Sequence, residues 1–336
     1  MNNYVLSIYD NKKNDAGPKA KQDIDKFLTE ENFEIIKLKL SLTTSLAGRL
    51  TKIKYSLFDI PNIFRRRKID TLVLQYPFYS LFLMKKLINN AKKHPDTNLV
   101  FIIHDVESLR LFKNDPAYVA SEIKLLNAAD GLVVHNQKML SWLKQNGVTT
   151  QMVPLEVFDY DNPQNFQTSS DYERSVCFAG NLKKSEFLEK MHSLNEIDIY
   201  GPNPAKSYPD GLNYKGSYSP EELPKYLTQN FGLVWDGTEL SQCNSVFGEY
   251  MKFNNPHKVS LYLSSGIPVI IWDKAALADF IVSNGVGIAI SNLNDLDDIL
   301  KNVSPDEYKK MRQKTISIGK KMRNGHYIKK AISAFD

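Results

Sequence analysis

Short apolar runs alternate along the chain with longer segments whose apolar residues recur at helical spacing. Residues 4–8, 33–40, 71–75 and 99–103 predict strands in the first half, joined by a further strand within 128–136. Residues 175–179, 196–200, 231–235 and 269–272 predict strands in the second half. Runs such as Leu99-Val100-Phe101-Ile102-Ile103 and Val269-Ile270-Ile271-Trp272 are apolar throughout rather than alternating. That suits parallel strands covered on both faces. Between them, 20–28, 81–93, 137–146 and 256–265 carry helical periodicity,.

The most legible stretch is 254–272. Pro256 suits a first helical turn, where its missing N–H costs nothing, and Asn255 before it is a cap candidate. Val259, Leu261, Tyr262 and Leu263 give the helix an apolar side. Gly266 is placed to end it in the left-handed conformation, and Pro268 prevents its resumption. The free N–H groups and the dipole at the start of such a helix favour an anion, and His257 and Lys258 add side-chain donors there. A diphosphate is the natural ligand; an ordinary surface lysine at a helix start accounts for the same residues.

Together with 231–237 and 274–281, this stretch resembles the bacterial β-1,6-galactofuranosyltransferase family of O-antigen and exopolysaccharide synthesis. More distantly it resembles the glucosyltransferases that extend the glycans of serine-rich adhesins. The resemblance implies an α/β protein of GT-B architecture, two Rossmann-like doubly wound domains facing a central cleft. The expected layout is an acceptor-binding domain over 1–158, a polar linker over 159–174 and a nucleotide-sugar domain over 175–315. A last helix over 316–336 would return to the first domain. The implied activity is inverting transfer of galactofuranose from UDP-galactofuranose to a sugar hydroxyl of a glycan or lipid-linked acceptor, in β-1,6 linkage. The alternatives are glucosyl transfer from UDP-glucose onto GlcNAc of a serine-rich glycoprotein, and a non-catalytic binding module of the same shape.

Candidate chemistry clusters where predicted strands end, because the carboxyl ends of strands in an open parallel sheet face the ligand. After 99–103 come His104, Asp105 and Glu107. A carboxylate there could take the proton of an acceptor hydroxyl; a cap on the next helix would also use an aspartate. The resembled family includes the His104-Asp105 pair, which supports a catalytic or acceptor role. Gly17 and Lys19 follow the first strand and read either as a close-approach turn with a phosphate- or acceptor-binding cation, or as a plain turn with a solvated lysine. Gly180, Asn181, Lys183 and Lys184 follow the strand at 175–179 and read as a phosphate-facing turn or a glycine turn before a solvated helix. Tyr218 stands just ahead of a Ser219-Pro220 helix start, where it could stack on a base or simply fill the core. Asp236 ends the strand at 231–235, near the phosphates by topology. Asn136 reads as a helix cap.

One departure from many retaining GT-B enzymes is Leu261, where a paired glutamate would stand. A retaining mechanism built on that pair therefore gains no support. The six histidines are scattered and no metal ligand set is evident. The expectation is metal-independent transfer, with Lys258, Lys183 or Lys184 and helix N–H groups holding the departing diphosphate. No cofactor is expected beyond the UDP-sugar co-substrate.

Composition narrows this picture slightly. The 336 residues suffice for two domains, and a net charge of +5 fits anionic small molecules or a phospholipid surface without implying nucleic acid,. Cys177 and Cys243 are far apart, which fits a reducing cytoplasm rather than a disulfide scaffold. The chain opens without a secretory signal and carries no apolar run of membrane-spanning length. Arg65-Arg66-Arg67-Lys68 and the amphipathic stretch 81–93 admit either solvated and core-facing roles or contact with anionic lipid. A cytoplasmic location, at the inner face of the cell membrane if that contact exists, follows as the expectation; the oligomeric state is open, and a homo-oligomer is compatible.

Overall fold

The computed structural model describes residues 2–8, 16–38, 51–78, 80–167 and 171–335. They form two compact units. The first is built on Gly17–Leu155, the strand before it, and the chain from Ile328 onward; the second is Glu156–Tyr327.

In the first unit, β1 (Asn3–Ile8), β2 (Glu34–Leu38), β3 (Thr71–Tyr76), β4 (Asn98–Ile103), β5 (Gly131–Val134) and β6 (Gln151–Pro154) form one parallel sheet in the order β2-β1-β3-β4-β5-β6. The chain winds one way from β1 to β2 and the other way from β3 onward, so the switch point lies between β1 and β3. The helices are α1 (Ala16–Glu30), α2 (Ile60–Arg66), α3 (Leu81–Ala91), α4 (Pro116–Leu126) and α5 (Gln137–Gln145). Every residue of β3 and β5, and all but the first of β4, is buried, as unbroken apolar runs require. Asn136 caps α5 as expected, accepting from the N–H groups of Lys138 and Met139 at 2.9 and 3.0 Å.

In the second unit, β7 (Val176–Ala179), β8 (Ile197–Tyr200), β9 (Leu212–Gly216), β10 (Phe231–Val234), β11 (Val269–Trp272) and β12 (Gly287–Ile290) form a second parallel sheet, ordered β12-β11-β10-β7-β8-β9. Counted within the unit this is the Rossmann order, with its switch point between β7 and β10. Its helices are α6 (Ser245–Tyr250), α7 (His257–Ser265), α8 (Ala278–Asn284), α9 (Leu296–Asn302), α10 (Pro305–Arg323) and α11 (His326–Ile332), the last of which runs on into the first unit.

Several local expectations are corrected. The first helix starts at Ala16 rather than at 20, so Gly17 and Lys19 lie in its first turns and not in a loop; residues 9–15 lie outside the described residues. The poorly patterned 51–64 stretch is helical, with a wide turn at Tyr55–Asp59 leading into α2. Ser219 accepts from the Glu222 N–H at 3.3 Å, but only a short 3-10 turn at Leu223–Lys225 follows, not a helix begun by Pro220. Asn255 does not cap α7: Pro256 occupies the cap position, without a side-chain capping bond. Gly266 does end that helix, at φ 79°. The polar stretch 159–174 is tied to the second unit. Asn162 donates to the Ser264 and Ser265 hydroxyls at 3.3 and 3.2 Å, and the Tyr172 hydroxyl donates to the Leu300 carbonyl at 2.6 Å.

Candidate functional site

Two polar clusters stand at strand ends, one in each unit. In the second unit the anchor is apolar. Tyr262 is fully buried, and its hydroxyl accepts from the Ala179 N–H at 2.7 Å. Burial pushes its phenol well above the ordinary range. Its ring covers Gly232, where a Cβ would stand 2.3 Å from ring carbons. One side chain thus fastens α7 across β7 and β10. One turn earlier on the same helix is Lys258, which is thereby delivered to the switch point.

The Lys258 ammonium donates to Asp236 Oδ1 at 2.6 Å and to the Trp235 carbonyl at 3.1 Å. It also lies 4.5 Å from the centre of the Phe178 ring. Trp235 and Asp236 follow β10 and Phe178 lies on β7, so strands on both sides of the switch point contribute. Gly180 makes room for this course, because a Cβ there would stand 2.8 Å from Lys258 Cε. The loops after β7 and β10 are laced together: the Gly237 N–H donates to the Lys184 carbonyl at 3.3 Å and the Phe187 N–H to the Gly237 carbonyl at 3.2 Å. Two of the three ammonium hydrogens have partners in the protein, and the third can address an anion.

Of the other residues expected here, several are engaged differently. Asn181 caps the short turn after β7, accepting from the Lys183 N–H at 3.2 Å, and also accepts from the Asn203 amide at 3.0 Å. Lys183 is exposed. Lys184 lies 3.8 Å from the centre of the Phe247 ring, on α6. Asn255 is buried and donates to the Glu156 carbonyl at 3.2 Å, while His257 stacks on Phe158 at 4.7 Å. Those two side chains fasten the start of α7 to residues 156–158. One face of Tyr218 is taken by Tyr226, with ring centres 3.9 Å apart.

The first unit's cluster is a hydrogen-bonded chain. The Ser7 hydroxyl donates to Asp25, and the Gln75 amide nitrogen donates to Asp25 Oδ1 at 2.7 Å and to the Lys21 carbonyl at 3.1 Å. Carboxylate and carbonyl oxygens only accept, so the Gln75 amide oxygen must face His104 Nε2, 2.7 Å away. The network therefore assigns a proton to Nε2. Lys21 is pushed down to about 8 by burial, partly countered by Asp105 and Asp25.

Asp105 and Glu107 share Arg110. Glu107 takes two of its N–H groups, through Nη2 and at 3.4 Å through Nε, whereas Asp105 Oδ2 meets Nη1 at 3.1 Å. Side-chain exposure is 30% for Asp105 and 14% for Glu107, so Asp105 is the more exposed carboxylate. The turn that follows, Glu107–Leu109, has its first N–H groups met from another element. They are met by buried Glu122 on α4, which accepts from the N–H groups of Glu107 and Ser108 at 3.2 and 2.7 Å and from the Tyr76 hydroxyl at 2.5 Å. Lys19 is buried in an ion pair with Asp23, one turn along α1, rather than presented as a solvated or ligand-seeking cation.

The structure thus brings together Gly180, Asp236 and Lys258 in one unit and His104, Asp105 and Glu107 in the other. Sequence reasoning missed Asp25, Gln75, Arg110 and Glu122. A buried acid on a helix face gives no local signal of the loop it will hold. It also missed the task of Tyr262, read only as part of an apolar side.

Comparison with known proteins identifies the family and the fold. The glucosyltransferase 3-like N-terminal domain matches residues 2–157, and the C-terminal domain of the same family matches 176–335. The chain is 30% identical over 333 residues to the β-1,6-galactofuranosyltransferase WbbI of Escherichia coli (strain K12), covering 97% of this chain and 96% of the relative. It is 26% identical to glucosyltransferase 3 of Streptococcus gordonii over 78% of each chain. Among solved structures, sucrose-phosphate synthase from Thermosynechococcus elongatus aligns over 99% of this chain and 97% of its own, with a TM-score of 0.64 and 11% identity. The trehalose-6-phosphate synthase OtsA aligns over 100% and 99%, with a TM-score of 0.59 and 10% identity. These two likenesses concern the fold. The chain belongs to the glucosyltransferase 3-like family and is a glycosyltransferase of GT-B fold.

Proposed function

We propose that the protein is an inverting galactofuranosyltransferase, moving galactofuranose from UDP-galactofuranose to a sugar hydroxyl in β-1,6 linkage on a glycan or lipid-linked acceptor. The observation that carries the sugar assignment is the 30% identity to a β-1,6-galactofuranosyltransferase over nearly the full length of both chains. Inversion is a single displacement. The acceptor oxygen bonds to the anomeric carbon, the carbon–oxygen bond to UDP breaks, and the diphosphate leaves with the electron pair. The acceptor proton passes to a carboxylate.

Lys258 is assigned the diphosphate. Asp236 and the Trp235 carbonyl hold its ammonium at the switch point before the donor arrives, so little reorganisation accompanies charge development. Lys183, Lys184 and the N–H groups at the start of α7 supplement it, and transfer proceeds without a metal. Asp105 is assigned the acceptor proton, because it is the more exposed of the two carboxylates that share Arg110. His104, oriented by Gln75 and Asp25, stands beside it in sequence as the supporting group.

A second reading, glucosyl transfer from UDP-glucose to GlcNAc on a serine-rich glycoprotein, is favoured by the family description matching both halves of the chain. Incubating the purified protein with each UDP-sugar and a panel of acceptors, then assigning the product linkage by NMR, separates the two. A β-1,6-galactofuranosyl product is expected; glucosyl transfer with no use of UDP-galactofuranose would reverse the assignment.

A further inference from the structure

The first unit carries a surface that the reaction above does not use. The wide turn Tyr55–Asp59 and α2 both pack on α3. The interior of this layer is conventional: Ile60, Ile63 and Phe64 are buried on one side, and Leu83, Leu87 and Ile88 on the other. Its outer face is not. Ile53, Leu57, Phe58, Leu81 and Phe82 are between 48% and 61% exposed. They make up five of the twelve exposed large apolar side chains among the described residues. Scattered apolar residues on a surface are ordinary, but a concentration in two packed segments marks an interaction face.

Charge selects the partner. Residues 51–68 and 81–93 hold ten lysines and arginines and one acid, Asp59, whereas the whole chain is only +5. The rest of the molecule is therefore net acidic, and the cationic excess belongs to these two segments. Arg65-Arg66-Arg67-Lys68 is exposed throughout, and Lys86 Nζ lies 6.0 Å from the centre of the Phe82 ring, so cation and apolar ring are interleaved. A nucleic acid would answer the charge but leave Leu57, Phe58, Leu81 and Phe82 wet. A second copy joined face to face about a two-fold axis would set like charges against like.

We propose that this face docks on a bilayer leaflet containing anionic phospholipid. The exposed aromatic and leucine side chains enter the boundary between headgroups and acyl chains, and the surrounding cations meet the lipid phosphates. The inference rests on exposure and charge, and stands whichever sugar is transferred.

Sedimentation of the full chain with vesicles tests it. Binding is expected to phosphatidylcholine vesicles doped with phosphatidylglycerol, weakly or not at all to phosphatidylcholine alone, and to weaken in high salt. At about 1 kcal/mol for each cation near an anionic surface, Arg65→Gln and Arg66→Gln should each lower partitioning roughly fivefold. Phe58→Ser combined with Phe82→Ser should abolish binding while thermal unfolding and UDP affinity stay as in the parent, since both side chains are exposed. Equal binding to neutral and anionic vesicles, no binding to either, or binding indifferent to these substitutions would overturn the proposal. So would a dimer in analytical ultracentrifugation that Phe58→Ser dissolves, which would make the face a contact between copies.

Discussion

The two strand-end clusters solve different electrostatic problems with similar scaffolding. At the second unit's switch point a single cation is held by one carboxylate, one carbonyl and one aromatic face. In the first unit, Asp25, Gln75 and His104 form one hydrogen-bonded set, and beside it in sequence Arg110 is shared by Asp105 and Glu107. The first arrangement keeps one donor direction open and suits a ligand whose charge is already present. The second orients a histidine ring and splits an arginine between two acids, and burial holds Lys21 at about 8 against the opposing pull of Asp105 and Asp25, which suits moving a proton. Positioning by packing produces the former, and positioning by a hydrogen-bonded chain produces the latter.

The largest expected effect tests the proton side. Asp105→Asn should lower turnover about 10²–10⁴-fold with UDP affinity nearly unchanged. Glu107→Gln should act less on turnover and more on the Arg110 contact, and near-normal turnover in Asp105→Asn at saturating acceptor would move the base elsewhere. On the charge side, Lys258→Ala should weaken UDP binding by roughly 2–5 kcal/mol, because it removes one partner of a desolvated pair and leaves Asp236 opposing the diphosphate. Calorimetry reads this directly, and unchanged affinity in a folded variant would remove the anion site.

The scaffold difference is sharpened by Gly232→Ala. The added Cβ meets the Tyr262 ring, so a destabilisation of about 1–3 kcal/mol is expected in thermal or chemical unfolding,. A neutral result would show that α7 is not set down on β7 and β10 through that ring.

Lys21 gives a pH signature in the first unit. Its folded-state value lies below the ordinary lysine range, so the unfolded chain binds more protons between about pH 8 and that range,. Stability should therefore rise through that window, by up to about 1 kcal/mol per pH unit. Lys21→Met should flatten the rise in denaturation series at matched pH values, and an identical slope in both proteins would count against the buried cation. The smallest expected effect is none: activity should survive EDTA if lysines and N–H groups carry the diphosphate. Loss of activity with EDTA, restored by magnesium or manganese, would reverse that.

Sequence alone was enough for the alternation of strands and helices, for the Pro256-to-Gly266 helix within a residue, and for the placing of Lys258 at its start. These follow from local chemistry: apolar runs, proline's fixed φ and a glycine at the helix end all act within a few residues. Sequence also singled out Gly180 and Asp236, because polar residues after parallel strands face the ligand side whichever fold they serve. What it could not supply were the partners. That Gly180 clears a path for Lys258, that Asn255 and His257 fasten a helix, that Lys19 turns inward to Asp23, and that Glu122 meets the N–H groups of the turn after β4 all depend on neighbours. Except for the Lys19–Asp23 pair, those neighbours lie 14 to 99 residues away along the chain. Hydrophobic periodicity records which face of an element is buried. Only the assembled sheet, by fixing strand order and register, decides which polar groups meet there.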